Sequence, residues 1–177
     1  MAAYSELRQA LYNVVSGMMA PTQVIWMYGN GTEPANPYVG IHILSMDQIG
    51  REQTSSYAME TTLNSDEYYI NILTNYEALI QVTFKGSTAG DLSHDFNQKL
   101  NSPIYWELMS KNNLSKMRTS SIRNAPQARD TKYVPTFNQD VTFAYAYNTQ
   151  QDINVIERVI LVNSITGDRF EIPESIG

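Results

Sequence analysis

The stretch EYYINILTNYEALIQVTF, residues 67–84, decides how this chain folds. From Tyr68 onward every second residue is apolar or a threonine, which is the period of a β-strand with one buried face. At about 3.3 Å per residue the stretch would span roughly 60 Å. A compact domain of this chain length is only roughly 40 Å across. Part of the strand should therefore project from the globule, and its apolar face needs a cover.

The segment before it, residues 38–60, has the same period. We predict that the two segments form one long antiparallel hairpin over residues 39–86, with its tip near residues 57–69. If Met59 lies opposite Tyr68, the apolar sets of both strands share one face. A slip of one residue would place them on opposite faces, which favours this register.

Two features of the hairpin need separate attention. Gly50 is expected to form a bulge or bend, because a glycine inside a strand often marks one. A second interpretation breaks the ribbon near Asn75 into two shorter strands that fold back on the domain. Both interpretations stay open, since a two-stranded ribbon with an apolar face is not stable alone in water.

Helices are predicted on both sides of the hairpin in the sequence. Residues Tyr4 to Met18 repeat at spacings of three and four, typical of an amphipathic helix, with Ser5 as a cap. A second helix follows residue 87, with Asp95 and Lys99 placed to pair one turn apart. Ser102 begins a third, short helix that carries Ile104, Leu108 and Met109.

Further strands complete the predicted fold. Residues 23–28 form a short strand, residues 29–37 a loop, and residues 140–148 alternate with Val141, Phe143, Tyr145 and Tyr147 on one face. A last hairpin turns about Thr166 to Asp168. This order predicts a single α+β domain over residues 1–177, with an antiparallel or mixed sheet, helices packed on one side and a long projecting β-hairpin.

Composition excludes several kinds of site. The chain of 177 residues has no cysteine and only two histidines, so thiol chemistry is excluded and a histidine-based metal site is disfavoured. It lacks a phosphate-binding loop, a dinucleotide fingerprint and a nucleophile elbow. No catalytic residue, cofactor or metal is predicted. With no apolar run long enough for a membrane span and no signal peptide, we expect no membrane partner.

The charge is uneven. Six basic residues between positions 111 and 132, against Asp130, give that segment a net charge of +5, which leaves −11 for the rest of a chain with net charge −6. A solvated loop or strand is one interpretation; contact with an acidic surface, on a neighbouring copy or another partner, is a second; a grip on DNA is a third. The candidate contact residues are Lys111, Lys116, Arg118, Arg123, Arg129 and Lys132.

The layout resembles the neck or tail terminator proteins of tailed, in particular contractile-tailed, bacteriophages. The strings that carry the resemblance are ELRQALYNVV, VIWMYGNGTEPANPYVGIHIL, IGREQ, YEALIQVTFKG and DLSHDFNQKLNSPIYWELMSKNN, and NGTEPANPYVGI at residues 30–41 matches most closely. The resemblance extends from residue 7 to about residue 161. The chain departs from the pattern in a more polar tip at residues 51–66 and in its basic segment.

The resemblance implies a structural virion protein and not an enzyme. It implies a ring, commonly a hexamer, which caps the tail tube, stops its growth and joins the tail to the head connector. The implied partners are further copies of the chain, the tail tube and sheath proteins and the connector, with DNA only as passing cargo. The implied location is the virion neck, after assembly in the host cytoplasm.

The ring suggests what covers the projecting hairpin. A hairpin from one copy would lie on the sheet of the next, because a cyclic ring is built from heterologous contacts. The predicted subunit interface is Tyr57, Met59, Tyr68, Tyr69, Ile70 and Ile72. Two alternatives stay open: another ring-forming tail component, such as a tube or baseplate adaptor, and a monomeric ligand-binding α+β domain that uses its tyrosine-rich face.

Overall fold

The computed structural model describes residues 3–29, 31–58, 68–129, 132–153, 159–162 and 169–172. Within these ranges the fold is α+β, as predicted. The helices are α1 (Ala3–Met19), α2 (Ala89–Leu100) and α3 (Pro103–Lys111). The strands are β1 (Gln23–Trp26), β2 (Tyr38–Ala58), β3 (Tyr68–Lys85), β4 (Leu114–Thr119), β5 (Arg123–Asn124), β6 (Gln127–Arg129), β7 (Lys132–Val134), β8 (Thr136–Ile153), β9 (Val159–Val162) and β10 (Arg169–Ile172).

The main sheet is mixed. Its strands follow the order β1-β2-β3-β8-β4, and β5 also pairs with β8. The short β1 runs parallel to β2, from Gln23 opposite Tyr38 to Trp26 opposite Ile41. On the other side β4 pairs with β8 in antiparallel fashion. Two separate antiparallel pairs, β6 with β7 and β9 with β10, complete the described strands.

The chain divides into two compact units. The first comprises Met1–Glu52 and Leu73–Tyr147, and the second comprises Gln53–Ile72 and Asn148–Gly177. Within the second unit, the distal residues of β2 and β3 are grouped with the end of β8 and with the β9–β10 pair. The distal part of the ribbon is therefore grouped with C-terminal residues of its own chain. The tip predicted near residues 57–69 lies largely outside the described residues, and the single domain over residues 1–177 stays a prediction.

The long stretch that decides the fold, quoted above as residues 67–84, lies almost entirely in one unbroken strand. β3 runs from Tyr68 to Lys85, so the alternative break near Asn75 is wrong. Its even-numbered residues from 74 onward face the core: Thr74, Ala78, Ile80, Val82 and Phe84 are buried, and Tyr76 packs against the same cluster. The strand period read from the sequence therefore predicts the buried face correctly.

Residues from all three helices join this face in one core cluster. Phe96 of α2 meets Phe84 with ring centroids 5.5 Å apart. In α1 the predicted stripe is buried from Leu7 to Met18, whereas Tyr4 is 51% exposed. The helix already includes Ala3, so Ser5 lies inside it and the predicted cap is wrong.

The third helix begins as predicted, with Ser102 at the N-cap position and Pro103 in the first turn. Met109 is buried and Leu108 packs against the core cluster, whereas Ile104 is 81% exposed. Gly17 of α1 lies at a close approach to this helix, since a Cβ there would meet Leu108 Cδ2 at 2.8 Å. Glycine at this point lets the two helices cross closely.

Candidate assembly surfaces

The loop before β2 is fastened to the end of β3. Tyr38 donates its hydroxyl to Oε1 of Glu33, and the ammonium of Lys85 lies 3.3 Å from the same oxygen. The Lys85 side chain is only 11% exposed and its ammonium also lies 5.7 Å from the centre of the Tyr38 ring. A largely buried ammonium needs a counter-charge, so Glu33 holds the loop where it is.

Two glycines allow the loop to approach the sheet closely. Gly86 has φ +112°, and a Cβ on it would meet the Cα of Pro37 at 2.9 Å. Its amide donates to the carbonyl of Pro135 at 3.1 Å. A Cβ on Gly40 would collide with the side chain of Met27. The NGTEPANPYVGI motif at residues 30–41 therefore has a structural explanation: it fixes where β2 begins.

Next to this loop, β2 has an open edge. Its pairing with β1 ends at Ile41, and its other neighbour is β3. Among the described residues, no strand pairs with the β1 side of β2 beyond that point. Leu44 is 45% exposed and Ile49 is 41% exposed along this edge. Gly50, the predicted bulge or bend, has φ +71°, a conformation that favours glycine.

The predicted subunit interface is only partly described. Ile70 and Ile72 are half-buried in β3. Tyr57 lies on β2, and Tyr68 and Tyr69 lie on β3, but the side chains of these tyrosines are outside the described part of the chain. Met59 lies outside the described residues altogether. The interface stays a prediction.

The basic segment forms ion pairs with its own chain. Arg118 on β4 lies 2.6 Å from a carboxylate oxygen of Glu77 on β3, and its Nε donates to Thr142 Oγ1 at 3.2 Å. Arg123 on β5 lies 2.5 Å from Asp140 on β8. Both arginines are more than half exposed, so these pairs contribute little to stability, about 0–1 kcal/mol each.

The lysines of the segment also have partners. Lys111 lies 2.7 Å from Glu107, one turn back on α3. Lys116 donates to the side-chain oxygen of Asn101. Arg129 and Lys132 face each other across β6 and β7, and nothing further of these two side chains is described. The four basic residues with described side chains thus bond acceptors within this chain.

The β6–β7 hairpin continues the pairing of β5 with β8. Arg123 lies opposite Asn138 and Gln127 lies opposite Val134, which is the same register. Tyr133 is 77% exposed, and Gln127 and Ala128 are exposed on the facing strand. At its base the amide of Ala125 donates to the carbonyl of Thr136 at 2.8 Å, which attaches the hairpin to the start of β8.

A groove of about 680 Å³ lies between α3, β4 and β8. Trp106, which is 58% exposed, lines it together with Ser110, Asn113 and Lys116. Its walls combine two aromatic side chains, Trp106 and Tyr145, with amides, hydroxyls, several apolar side chains and a single cation. Among the described residues that line it, none is acidic.

Perturbed acids and bases in the described part of the chain have structural causes. Burial raises the pKa of Tyr145 to about 12, and the nearby carboxylate of Glu6 adds to the increase. The bond to Lys111 lowers the pKa of Glu107. His42 meets Tyr28 edge-on, with ring centroids 4.8 Å apart. Across these ranges no group of three potential metal ligands occurs.

Of the helices that the structure describes, none has both the length and the apolar character needed to cross a membrane. No curated protein matches the sequence significantly. The sequence profile of a family described as phage neck terminator protein matches residues 5–168, which is nearly the whole chain. The chain therefore belongs to the phage neck terminator family and is a structural protein of the virion neck.

Proposed function

We propose that this protein forms a closed ring, a hexamer, at the head-proximal end of the phage tail. The ring stops growth of the tail tube and joins the tail to the head connector, and DNA passes through its lumen. Its membership of the neck terminator family supports this role. The observation that carries the self-association is the open edge of β2, where Leu44 and Ile49 are exposed and no described strand pairs on the β1 side.

A ring needs two different surfaces on each copy. Each subunit offers one surface and accepts the other, and the rotation between copies closes the circle. An edge with unpaired N–H and C=O groups and apolar side chains is a ready acceptor for another chain. Covering a few hundred Å² of such apolar surface contributes several kcal/mol at about 25 cal/mol/Å², before ordering costs.

The distal ribbon is the proposed second part of the contact. We propose that Tyr57, Met59, Tyr68, Tyr69, Ile70 and Ile72 lie against the next copy. The grouping of Gln53–Ile72 with Asn148–Gly177 implies that residues of the same chain share in this cover. The neighbouring copy then buries the part of the apolar face of the ribbon that residues of the same chain leave exposed.

The remaining partners follow from this position. One face of the ring meets the tail tube and sheath proteins, and the opposite face meets the head connector. Assembly takes place in the host cytoplasm, and the protein is then part of the virion. DNA is cargo in the lumen.

The experiment is electron microscopy of the purified protein with and without the tail-tube protein of its phage, together with sizing in solution. Single rings, or caps at one end of the tubes, support the proposal. Open tubes made of this protein alone would assign it to the tail-tube class instead. A monomer that never associates with tubes would refute both assignments.

A deletion separates folding from assembly. Replacing residues 52–66 by a tight turn removes the tip and leaves the first compact unit nearly complete. We expect a folded protein that forms neither rings nor caps. Rings of normal size from this variant would exclude the tip from the interface.

A further inference from the structure

The described edges of the main sheet differ in how they are protected against pairing with other chains. Natural sheets block their edges with short strands, basic side chains or bulges. β1 has only four residues. β4 has a register shift between Lys116 and Arg118, which is a bulge flanked by two basic residues. Both strands therefore carry devices that discourage the addition of a further strand.

The edge of β2 from His42 to Ile49 is less protected, and Asp47 is its one acidic side chain. It contains no lysine, arginine or proline and continues past the end of β1. Leu44 and Ile49 are exposed along it and Met46 is half-buried. An edge of this kind is suited to binding an added strand through backbone hydrogen bonds, with side-chain contacts providing the selectivity.

The β6–β7 hairpin is the far end of a longer two-stranded ribbon. Its strands continue the pairing of β5 with β8 in the same register, and a two-stranded end gains little packing of its own. Tyr133 exposes 77% of its surface, and Gln127 and Ala128 are exposed opposite it. In the described chain only the base of the hairpin is bonded to β8, so a strand-sized surface remains available.

We infer that the β6–β7 hairpin of one copy adds to the open edge of β2 in the next copy. The contact is heterologous, as a closed ring requires, because it joins two different surfaces. Pairing between the β2 edges of two copies would give a two-fold dimer. That dimer would leave no open β2 edge to extend a ring. This inference rests on the proposed ring and names the surfaces that form it.

The charges of the two segments are complementary. Between His42 and Glu52 the acids Asp47 and Glu52 outnumber Arg51. At the hairpin Arg129 and Lys132 outnumber Asp130. Opposite net charges favour this pairing over β2 with β2 or hairpin with hairpin, where like charges would meet.

The chain has no cysteine, so single cysteines report contacts cleanly. Ile43→Cys, Ser45→Cys and Asp47→Cys are each mixed with the Tyr133→Cys protein on tail tubes and oxidised. We expect a disulfide-linked dimer in at least one mixture and none from any variant alone. Ser115→Cys, on the protected edge of β4, is the matched control and should not crosslink to Tyr133→Cys.

The outcomes are separable. Rings or caps without any of the three crosslinks, or with a disulfide between two Tyr133→Cys copies, overturn the inferred contact and leave the ring intact. Absence of rings and caps from the wild-type protein refutes the proposed function and with it this contact.

Charge reversal gives a second readout. We expect Asp47→Lys to raise the protein concentration needed for capping several-fold, and Lys132→Glu in the same chain to restore it. Asp47→Lys should keep wild-type thermal stability, since Asp47 is exposed. An Asp47→Lys protein that caps tubes normally would contradict the inference.

Discussion

Replacing Gly86 by alanine tests whether the close approach of the loop to the sheet holds β2 in place. Two effects act together at this residue. An L-residue at a positive φ costs roughly 1–2 kcal/mol, and φ +112° lies beyond the usual left-handed region. In addition, the new Cβ would lie 2.9 Å from the Cα of Pro37, and backbone cannot move aside as a flexible side chain does.

Gly50→Ala is the matched control. Gly50 also has a positive φ, +71°, but nothing lies within 4 Å of an added Cβ. We expect Gly50→Ala to lower the free energy of unfolding by about 1 kcal/mol and Gly86→Ala by about 3 kcal/mol or more. For a chain of this size that corresponds to falls in Tm of about 2–4 °C and about 6–12 °C.

Thermal and urea unfolding followed by circular dichroism measure both variants under the same conditions. Hydrogen exchange then shows whether the amides of β2 near Tyr38 lose protection in Gly86→Ala, as displacement of Pro37 predicts. Equal destabilisation by the two alanines would refute the reasoning, because it would leave only the φ penalty and no role for the contact with Pro37.

Three further outcomes follow from the core and the surface. Between pH 10 and about 12, Tyr145 loses its proton in the unfolded wild-type protein but keeps it in the folded protein, so the free energy of unfolding falls as the pH rises. The fall amounts to up to about 3 kcal/mol. Tyr145→Phe should remove this part of the alkaline loss of stability, which pH-dependent denaturation would detect. Phe96→Ala should lower the free energy of unfolding by about 3–5 kcal/mol through the cavity it leaves beside Phe84. Arg118→Ala should change it by less than about 1 kcal/mol, since its pair with Glu77 is exposed, and a larger loss in urea titration would show that the pair is structural.

The long strands could be predicted because their signal is local. The alternation from Thr74 to Phe84 depends only on the period of an extended chain, and a single buried face is enough to produce it. The same holds for Leu7 to Met18 in α1, where the helical period decides which side is buried. Exposure of Tyr4 and Ile104 escaped prediction because it depends on where the core ends, which no local pattern records.

The pairings within the sheet needed the structure. The sequence does not indicate that β1 runs parallel to β2. The two predicted strands are separated only by the nine-residue loop 29–37. The ion pair of Arg118 with Glu77 joins residues 41 positions apart, and that of Lys85 with Glu33 joins residues 52 apart. Sequence analysis recognised the basic segment as unusual but missed the carboxylates that neutralise most of its described cations.

The candidate assembly surfaces were also predictable only in part. The apolar ribbon and its need for a cover follow from periodicity and length, so the sequence was sufficient to raise the question. The exposed edge of β2 depends on β1 ending at Trp26, and the exposed β6–β7 hairpin depends on the pairing of β5 with β8 continuing in register beyond Asn124 and Phe137. Both are facts of strand pairing, and neither has a signature in composition or spacing.

If DNA passes through a ring of this protein, as proposed, the ion pairs of the basic segment affect how strongly this surface would bind it. Duplex DNA binds basic proteins largely because each phosphate contact releases condensed counterions into solution. A guanidinium that already has a carboxylate beside it, as Arg118 and Arg123 do, offers a phosphate little net charge. The entropy gained by ion release at this surface should therefore be small, so duplex DNA that met it would bind weakly.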